Sequence, residues 1–276
     1  MELHEDDGKA TPRTLLGRRL RRLREAAELS QRALAERVGY PHTYLSRVER
    51  GEQLPSEALA QALDDYFSAD GLFMELLDMA QDSLIANYSR EFVAKERDAI
   101  RIQVFTSSTM PGLLQTEDYT RECYRKDPTA ETLNELDARV AARMKRQRIF
   151  NAAPPPRYWA IMDEAVLKRP TADRRIMREQ LQHILKMAEN PHITIQVLTF
   201  DRALHTMMGG SLTLLTLKDG AMVALVESFA SGEAVDSPNG VVELVERFDI
   251  ARSMALMESE SLDLIRRYLE EYADES

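Results

Sequence analysis

The stretch that decides the fold is residues 31–51, QRALAERVGYPHTYLSRVERG, which has the pattern of a helix-turn-helix. This motif needs a small residue where its two helices cross, and Ala35 supplies one. Its sharp turn needs a residue that tolerates positive φ, and Gly39 meets that need. Leu45 and Val48 have the spacing of an inward face on the second helix. We therefore predict a DNA-binding motif at this position.

The residues around the motif mark where its helices begin and end. Ser30 is a typical N-cap for the first helix of the motif, and Gly51 is expected to end the second. Ser56 is expected to cap the helix that follows. Together these signals predict a five-helix domain with helices at about 14–28, 31–38, 42–50, 57–67 and 72–80.

Two segments, LSQRALA (29–35) and LSRVERG (45–51), resemble the lambda-repressor/Cro-like, or XRE, DNA-binding domain. The resemblance extends from Arg18 to Leu63 and covers about a quarter of the chain. It implies a compact helical domain in which the second helix of the motif enters the major groove of DNA.

The charge of the chain is divided unequally. The whole chain has a formal charge of −10, but residues 13–50 contain ten arginines and four glutamates, a net of +6. The remainder therefore carries −16. Such a division favours phosphate binding by the first domain alone.

Composition places the 276-residue chain among soluble globular proteins, with 44% hydrophobic and 30% charged residues. Its one cysteine, Cys123, excludes an internal disulfide and suits a reducing cytoplasm. The first residues lack the apolar run of a secretory signal, and no stretch is apolar enough to span a membrane. We expect a cytoplasmic protein with no membrane partner.

The pattern of the chain changes after the helical domain. We predict a disordered lead-in at 1–12, the helix-turn-helix domain at 13–82, a linker helix at 83–99 and a second domain at 100–276. The second domain alternates strand-like and helical segments, which predicts an α+β fold with four or five strands. A hairpin is expected where Lys218-Asp-Gly220 joins strands at 211–217 and 222–227, and a loop is expected at 231–239.

The second domain also resembles a known family. The segments that carry the resemblance are PGLLQT (111–116), RMKRQ (143–147), WAIMDEAVLKRP (159–170) and MREQL (177–181). They are similar to the C-terminal domain of actinobacterial regulators of the Scr antitoxin-like and WhiJ types. This resemblance implies a transcription regulator that often works with a small protein encoded beside it. Around 201–208 the chain departs from the family pattern, in which a more glycine-rich loop is usual.

The docking geometry of the motif identifies the candidate DNA contacts. The start of the helix at 42–50 should face base edges, and Arg47 is suited to two hydrogen bonds with guanine. By resemblance, Gln31 would bind a phosphate. The full set of candidates is Gln31, Arg32, His42, Thr43, Tyr44, Ser46, Arg47, Arg18, Arg19 and Arg22.

One such module contacts only a few base pairs, so specific binding requires two modules. We therefore predict a homodimer on double-stranded DNA, with half-sites about one helical turn apart and dimer contacts in the second domain. A small protein encoded nearby is a further expected partner. The alternative is a ligand-sensing repressor whose second domain encloses a small effector.

No constellation in the sequence indicates catalysis, a metal or a cofactor. The five histidines lack zinc spacing, and Gly209-Gly210 lacks the lysine and glycines of a phosphate loop. Adjacent Asp163 and Glu164 are expected to stabilise the start of a helix rather than act as an acid–base pair. We expect a protein that is not an enzyme.

Overall fold

The structure, a computed structural model, describes residues 11–126, 133–202, 204–229 and 231–273. It contains two compact units. The first comprises 1–85 and 129–142, and the second comprises 86–128 and 143–276. The predicted domain boundaries remain predictions, and most of the predicted lead-in lies outside the described residues.

Five helices form the first unit up to residue 85: α1 (Pro12–Ala26), α2 (Gln31–Val38), α3 (His42–Glu49), α4 (Glu57–Phe67) and α5 (Leu72–Asp82). The first begins two residues earlier than predicted, because the Thr11 hydroxyl accepts from the Thr14 N–H (3.2 Å) and Pro12 fits the first helical position. The hydroxyls of Ser30 and Ser56 cap α2 and α4, as the sequence predicts. Gly39 has a φ of 77°, which confirms its predicted place in the turn.

A single core holds these helices together. Leu16 and Leu20 of α1 contribute to it, as do Leu45 and Val48 of α3. Ala35 is 2% exposed, in keeping with its predicted place at the helix crossing. Burial on this scale is the main stabilising contribution in a small helical domain.

The second unit is built around a six-stranded sheet, so the prediction of four or five strands was too low. Its strands are β1 (Ala99–Thr106), β2 (Arg157–Asp163), β3 (Ile193–Leu198), β4 (Ser211–Leu217), β5 (Met222–Glu227) and β6 (Gly232–Val235). The strand order is β3-β2-β1-β4-β5-β6. β1, β2 and β3 are parallel, whereas β4, β5 and β6 continue the sheet in antiparallel fashion.

The remaining helices are α6 (Asn87–Lys95), α7 (Glu117–Arg125), α8 (Leu133–Arg146), α9 (Glu164–Lys168), α10 (Arg174–Met187), α11 (Pro238–Met254) and α12 (Glu258–Ala273). α10 and α12 pack on the sheet face that carries Ile102 and Val104, and α11 packs on the face that carries Phe105. Both faces of the sheet are therefore covered, which explains why its central strands are apolar on both sides. The domain is α+β, as the sequence predicts.

The segment predicted as a linker helix begins four residues later than expected. α6 packs against β5 and β6, and its Phe92 is buried in the core of the second unit. This helix is therefore part of the folded second unit rather than a free connection.

The predicted loop at 231–239 was wrong in its first half, where β6 pairs with β5. β6 has only four residues, and its sequence GEAV lacks a pattern of alternating burial. Pairing with β5, rather than any local preference, therefore creates this strand.

Candidate nucleic-acid interface

The backbones of α1 and α3 approach each other closely at Gly17. A Cβ atom on Gly17 would lie 2.5 Å from the Glu49 carbonyl oxygen and 2.9 Å from that of Val48. Real side chains do not tolerate such distances, so only glycine permits this crossing. Gly17 therefore sets the position of the last turn of α3 relative to α1.

A buried ion pair joins the same two helices. Arg24 donates from Nε to Oε2 of Glu49 (2.8 Å) and from Nη2 to Oε1 (2.7 Å). Its third nitrogen, Nη1, donates to the Leu29 carbonyl (2.8 Å), and the Glu49 side chain is only 4% exposed. Two-point pairing of this kind fixes both distance and orientation.

Gln31 adds a further hydrogen bond to this carboxylate, since its Nε2 donates to Glu49 Oε1 (3.0 Å). Burial alone would raise the pKa of Glu49, but hydrogen bonds from Arg24 and Gln31, together with the Arg24 charge, lower that pKa below its usual value. The amide nitrogen of Gln31, predicted to contact a phosphate, is therefore used inside the protein.

The outward face of α3 carries three exposed residues, His42, Thr43 and Arg47, and Arg50 is exposed directly after the helix. Thr43 and Arg47 are one turn apart, and Arg47 Nε lies 3.4 Å from the Thr43 carbonyl oxygen. Both side chains are exposed to solvent, and their contact with DNA stays a prediction.

Two other predicted contacts face inward. Ser46 is 7% exposed, and its hydroxyl accepts a hydrogen bond from Arg50. The Tyr44 hydroxyl accepts from the Ser56 N–H (2.7 Å), and the Tyr44 ring lies 6.1 Å from that of Tyr40. Both residues stabilise α3 and the turn after it, because their hydroxyls bond within the protein, and their assignment as direct DNA contacts stays a prediction.

The basic residues of the first two helices fall into two groups. Arg18, Arg19 and Arg22 are exposed and form no ion pair with any residue in the described ranges. Arg32 is also exposed, but it lies 3.5 Å from Glu36 one turn away. The three α1 arginines therefore present uncompensated charge, whereas that of Arg32 is partly offset.

The sequence prediction overlooked Gly17, Arg24 and Glu49 as a set, and it overlooked Arg50. Arg50 is exposed directly after α3 but forms two hydrogen bonds with the Glu52 carboxylate (2.7 and 2.8 Å). A signal for Glu49 was present, because it lies four residues after Leu45 and so shares the inward face of α3. An acidic residue at such a position requires a buried cation.

A segment distant in sequence contributes to the first unit. Asn134 Nδ2 donates to the Glu52 carbonyl (3.2 Å), and Glu135 Oε1 lies 3.6 Å from Arg13 Nη1. Arg13 also donates to the Glu52 carbonyl. The turn that follows α3 is therefore held by residues from α1 and from the start of α8.

In the second unit, three of the segments that carry the family resemblance meet around the loop after β1. Gln180 donates to the Leu114 carbonyl (2.7 Å) and accepts from the Thr116 N–H (2.7 Å). Gln147 donates to the Gln115 carbonyl (2.6 Å). Because these amides satisfy the main chain of the loop, they hold it in one conformation.

A polar cluster lies beside this loop. Arg146 forms a two-point ion pair with buried Glu96 (2.7 and 3.0 Å), and Arg143 stacks 5.0 Å from the Tyr124 ring centre. Burial raises the pKa of Glu227 above its ordinary value, although Arg143 and Arg146 act in the opposite direction. This carboxyl group is consequently easier to protonate than an exposed glutamate.

The loop after β3 is held by polar contacts but exposes apolar side chains. His205 Nδ1 accepts from the Met207 N–H (3.2 Å), so Nε2 carries the proton that faces Asp163 (3.3 Å). Asp163 also caps α9, as predicted, and Glu164 accepts from the Phe200 N–H (2.8 Å). The exposed apolar residues are Phe200, Leu204 and Met208.

Comparisons with known proteins match two families to different parts of the chain. A family described as "Helix-turn-helix domain" matches residues 15–77. A second, described as "Domain of unknown function (DUF5753)", matches residues 89–267, which is more than half of the chain. The chain belongs to the DUF5753 family. No curated protein and no solved structure matches it.

For this DUF5753 protein, the helix-turn-helix match supports a DNA-binding transcription regulator. The finer resemblance to the Scr and WhiJ types rests on the sequence segments alone. Within the described ranges, no helix is both long and apolar enough to cross a membrane. In the same part of the chain, no group of three or more His, Cys, Asp or Glu residues is placed to hold a metal ion.

Proposed function

We propose that this chain is a sequence-specific, antitoxin-like transcription regulator of the XRE type that binds double-stranded DNA as a homodimer. The observation that carries the proposal is the outward face of α3, where Thr43 and Arg47 are exposed on a helix held by Gly17 and by the Arg24–Glu49 pair. A rigid helix that exposes a guanidinium is suited to hydrogen bonding with base edges in the major groove.

Phosphate binding by α1 complements this contact. Arg18, Arg19 and Arg22 carry charge that no nearby carboxylate in the described ranges offsets. Contacts of this type supply affinity and salt dependence without sequence preference. Base preference is therefore assigned to α3 and non-specific affinity chiefly to α1.

We assign the second domain to binding rather than to catalysis, with a small protein encoded nearby as its partner. The loop after β3 supports this assignment because Phe200, Leu204 and Met208 expose 56%, 82% and 58% of their surface on a loop held by Asp163 and Glu164. Preformed loops with exposed apolar side chains are typical of protein-binding surfaces.

A ligand-sensing role is the second candidate, and it draws on the polar cluster. The Tyr158 hydroxyl is buried without a hydrogen-bond partner in the described ranges, and burial raises the pKa of this phenol. A small polar effector bound near Arg146 and Glu96 would supply the missing partner. A screen of small metabolites for thermal stabilisation, repeated with Tyr158→Phe, tests this role.

The principal test begins with selection of duplexes from a random-sequence pool by the full-length protein. The selected duplex should then bind on the order of 1,000-fold more tightly than its scrambled counterpart near physiological salt. Equal affinity for the two duplexes would refute sequence-specific binding. Loss of base preference in Arg47→Ala would assign the contact to α3.

A tagged strain tests the partner and the regulatory role together. Bound genomic sites and co-purifying proteins are identified from the same cells, and the strain is then rebuilt with Leu204→Ser. We expect one small protein to be lost from the variant while the bound sites persist. A partner retained in full by the variant would contradict the assignment of this loop.

A further inference from the structure

The two borders of the six-stranded sheet differ in how their main-chain groups are satisfied. At β3, the Val197 N–H donates to the Ser261 hydroxyl (3.0 Å), and the Val197 carbonyl accepts from the Leu256 N–H (2.9 Å). Gln196 adds a side-chain bond to the Leu256 carbonyl (2.7 Å). At Val197, the start of α12 and the residues before it therefore occupy both main-chain groups of this border.

Within the described residues, no strand lies beyond β6 in the sheet, although α6 contacts β6. In an antiparallel ladder, alternate residues direct their N–H and C=O groups toward the partner strand. Because the Ser228 N–H bonds the Ser231 carbonyl (2.8 Å), this alternation directs Glu233 and Val235 toward β5. The main-chain groups of Gly232 and Ala234 point outward and have no partner in the described ranges.

An aromatic side chain is exposed next to this border. Phe229 lies in the connection between β5 and β6, and its relative exposure is 102%, which is that of a free side chain. Val226, which pairs with Glu233 across the two strands, is also 36% exposed. An open edge with exposed apolar side chains is a surface prepared for another strand.

We infer that β6 is the dimer contact, pairing antiparallel with β6 of a second copy of this chain. The inference rests on the proposed function, because a regulator with one small motif per chain needs a two-fold partner to bind two half-sites. An antiparallel pair of identical strands has that two-fold symmetry. The unpaired main-chain groups of β6 favour a strand as the binding partner, and the two-fold symmetry favours β6 of a second copy.

Charge selects the register of this pairing. A two-fold axis at Glu233 would place two carboxylates directly opposite each other, which is unfavourable. An axis at Ala234 places the two Ala234 residues opposite each other and Glu233 opposite Val235 of the partner subunit. The outward groups of Ala234 then form a hydrogen-bonded pair across the axis.

The size of the contact sets its strength. Stable dimers bury about 800 Å² of surface on each partner. A strand of four residues buries less than this, even when Phe229 contributes to the contact. We therefore expect a dissociation constant on the order of 10 µM in free solution. Binding to adjacent half-sites should strengthen the pairing through effective concentration.

Sedimentation velocity of the full-length protein without DNA, from about 1 to about 200 µM, tests the inference. The expected result is a reversible monomer–dimer equilibrium. Ala234→Pro should weaken association at least about tenfold, because proline lacks the outward N–H and is tolerated on edge strands. Ser259→Pro is the matched control, because this position lies in the first turn of α12, where proline is also tolerated.

Phe229→Ser provides a second variant that cannot act through the core. Its ring is fully exposed, so folding should be unchanged while association weakens about tenfold. A wild-type protein that stays monomeric across the concentration range would overturn the inference. A dimer that neither Ala234→Pro nor Phe229→Ser weakens would overturn it equally.

The same variants separate this inference from the proposed function. If β6 variants weaken the dimer but wild type shows no base preference, the edge contact stands and sequence-specific binding fails. If base preference is present but the β6 variants dimerise as wild type does, the proposed function stands and the edge contact fails.

Discussion

Arg24 on α1 and Glu49 on α3 form a two-point ion pair, with both bonds at or below 2.8 Å, beneath the helix that we assign to the major groove. The Glu49 side chain is 4% exposed and that of Arg24 is 11% exposed. A buried charge that loses its partner is costly, so neither residue can be replaced alone without loss of stability. The pair thus links the stability of the domain to the position of its DNA-binding helix.

Glu49→Gln should lower the free energy of unfolding of the first unit by about 3 kcal/mol, because Arg24 loses its two-point partner and keeps only a 3.6 Å contact with exposed Glu25. Thermal or urea unfolding followed by circular dichroism measures this change. Glu36→Gln is the control, since Glu36 is exposed and its carboxylate lies 3.5 Å from Arg32 at the surface. Its cost should be about 0.5 kcal/mol or less. Equal effects of the two substitutions would contradict a structural role for Glu49.

Gly17→Ala should destabilise the first unit by about 1–3 kcal/mol, because its Cβ would meet the Glu49 and Val48 carbonyl oxygens and α3 would have to move. Gly39→Ala is a useful comparison. It has a φ of 77° and no atom within 4 Å of a Cβ, so it should cost only about 1 kcal/mol of backbone strain. DNA affinity should fall further in Gly17→Ala than in Gly39→Ala when both are measured below their unfolding temperatures. A fully stable Gly17→Ala protein would show that the crossing is not tight.

Arg47→Ala should reduce affinity for the selected duplex by about 1–3 kcal/mol and relax preference at one base pair. Fluorescence anisotropy with single-substitution duplexes measures both effects. Arg47→Lys keeps the charge but loses the planar fork, so it should lose preference while retaining more of the affinity. An Arg47→Ala protein that binds every duplex equally weakly, with its ranking unchanged, would assign Arg47 to a phosphate instead.

Arg19→Ala should weaken binding to all duplexes alike and reduce the salt dependence of log K by about one unit. Titrations at several salt concentrations give the slope. Arg175→Ala makes the same charge change on α10 of the second unit, where Arg175 pairs with Glu179 (3.0 Å). We expect that control to leave the slope unchanged. A similar decrease in both variants would show that net charge, rather than contact, determines the slope.

Glu227→Gln should change how stability depends on pH. Because burial raises the folded-state pKa of Glu227, the protonated form favours folding below the ordinary glutamate pKa, and this contribution is lost as pH rises through the folded value. Glutamine resembles the protonated form, so the melting temperature of the variant relative to wild type should increase from about pH 4 to about pH 7. Glu243→Gln, an exposed substitution on α11, should show no such trend. A flat difference for Glu227→Gln would contradict burial of its carboxylate.

Local signals predicted the first unit well. Ser30, Gly39 and Ser56 each act within a few residues of their position, so their roles in capping and turning follow from sequence alone. Helical spacing also placed Leu45 and Val48 correctly in the core. The exposed positions of Thr43 and Arg47 follow from the same spacing.

Long-range contacts explain what the sequence did not reveal. Ser46 and Glu49 lie beside Leu45 and Val48 on a broad buried arc, whereas periodicity had suggested a narrow one. Arg24 enters the sequence analysis only through the net charge of residues 13–50, because its partner is 25 residues away. β6 exists only through its pairing with β5, so no local pattern could indicate it.

The covered border at β3 has a consequence for how many chains can associate. Val197 has both main-chain groups bonded to residues 256 and 261, so a strand of another molecule cannot add there. Pairing of β6 with β6 of a second copy would engage the unpaired main-chain groups at the other border of the sheet. Under the inferred β6 pairing, edge-to-edge growth should therefore stop at two molecules, which would protect a strand-rich regulator from forming fibres at high concentration.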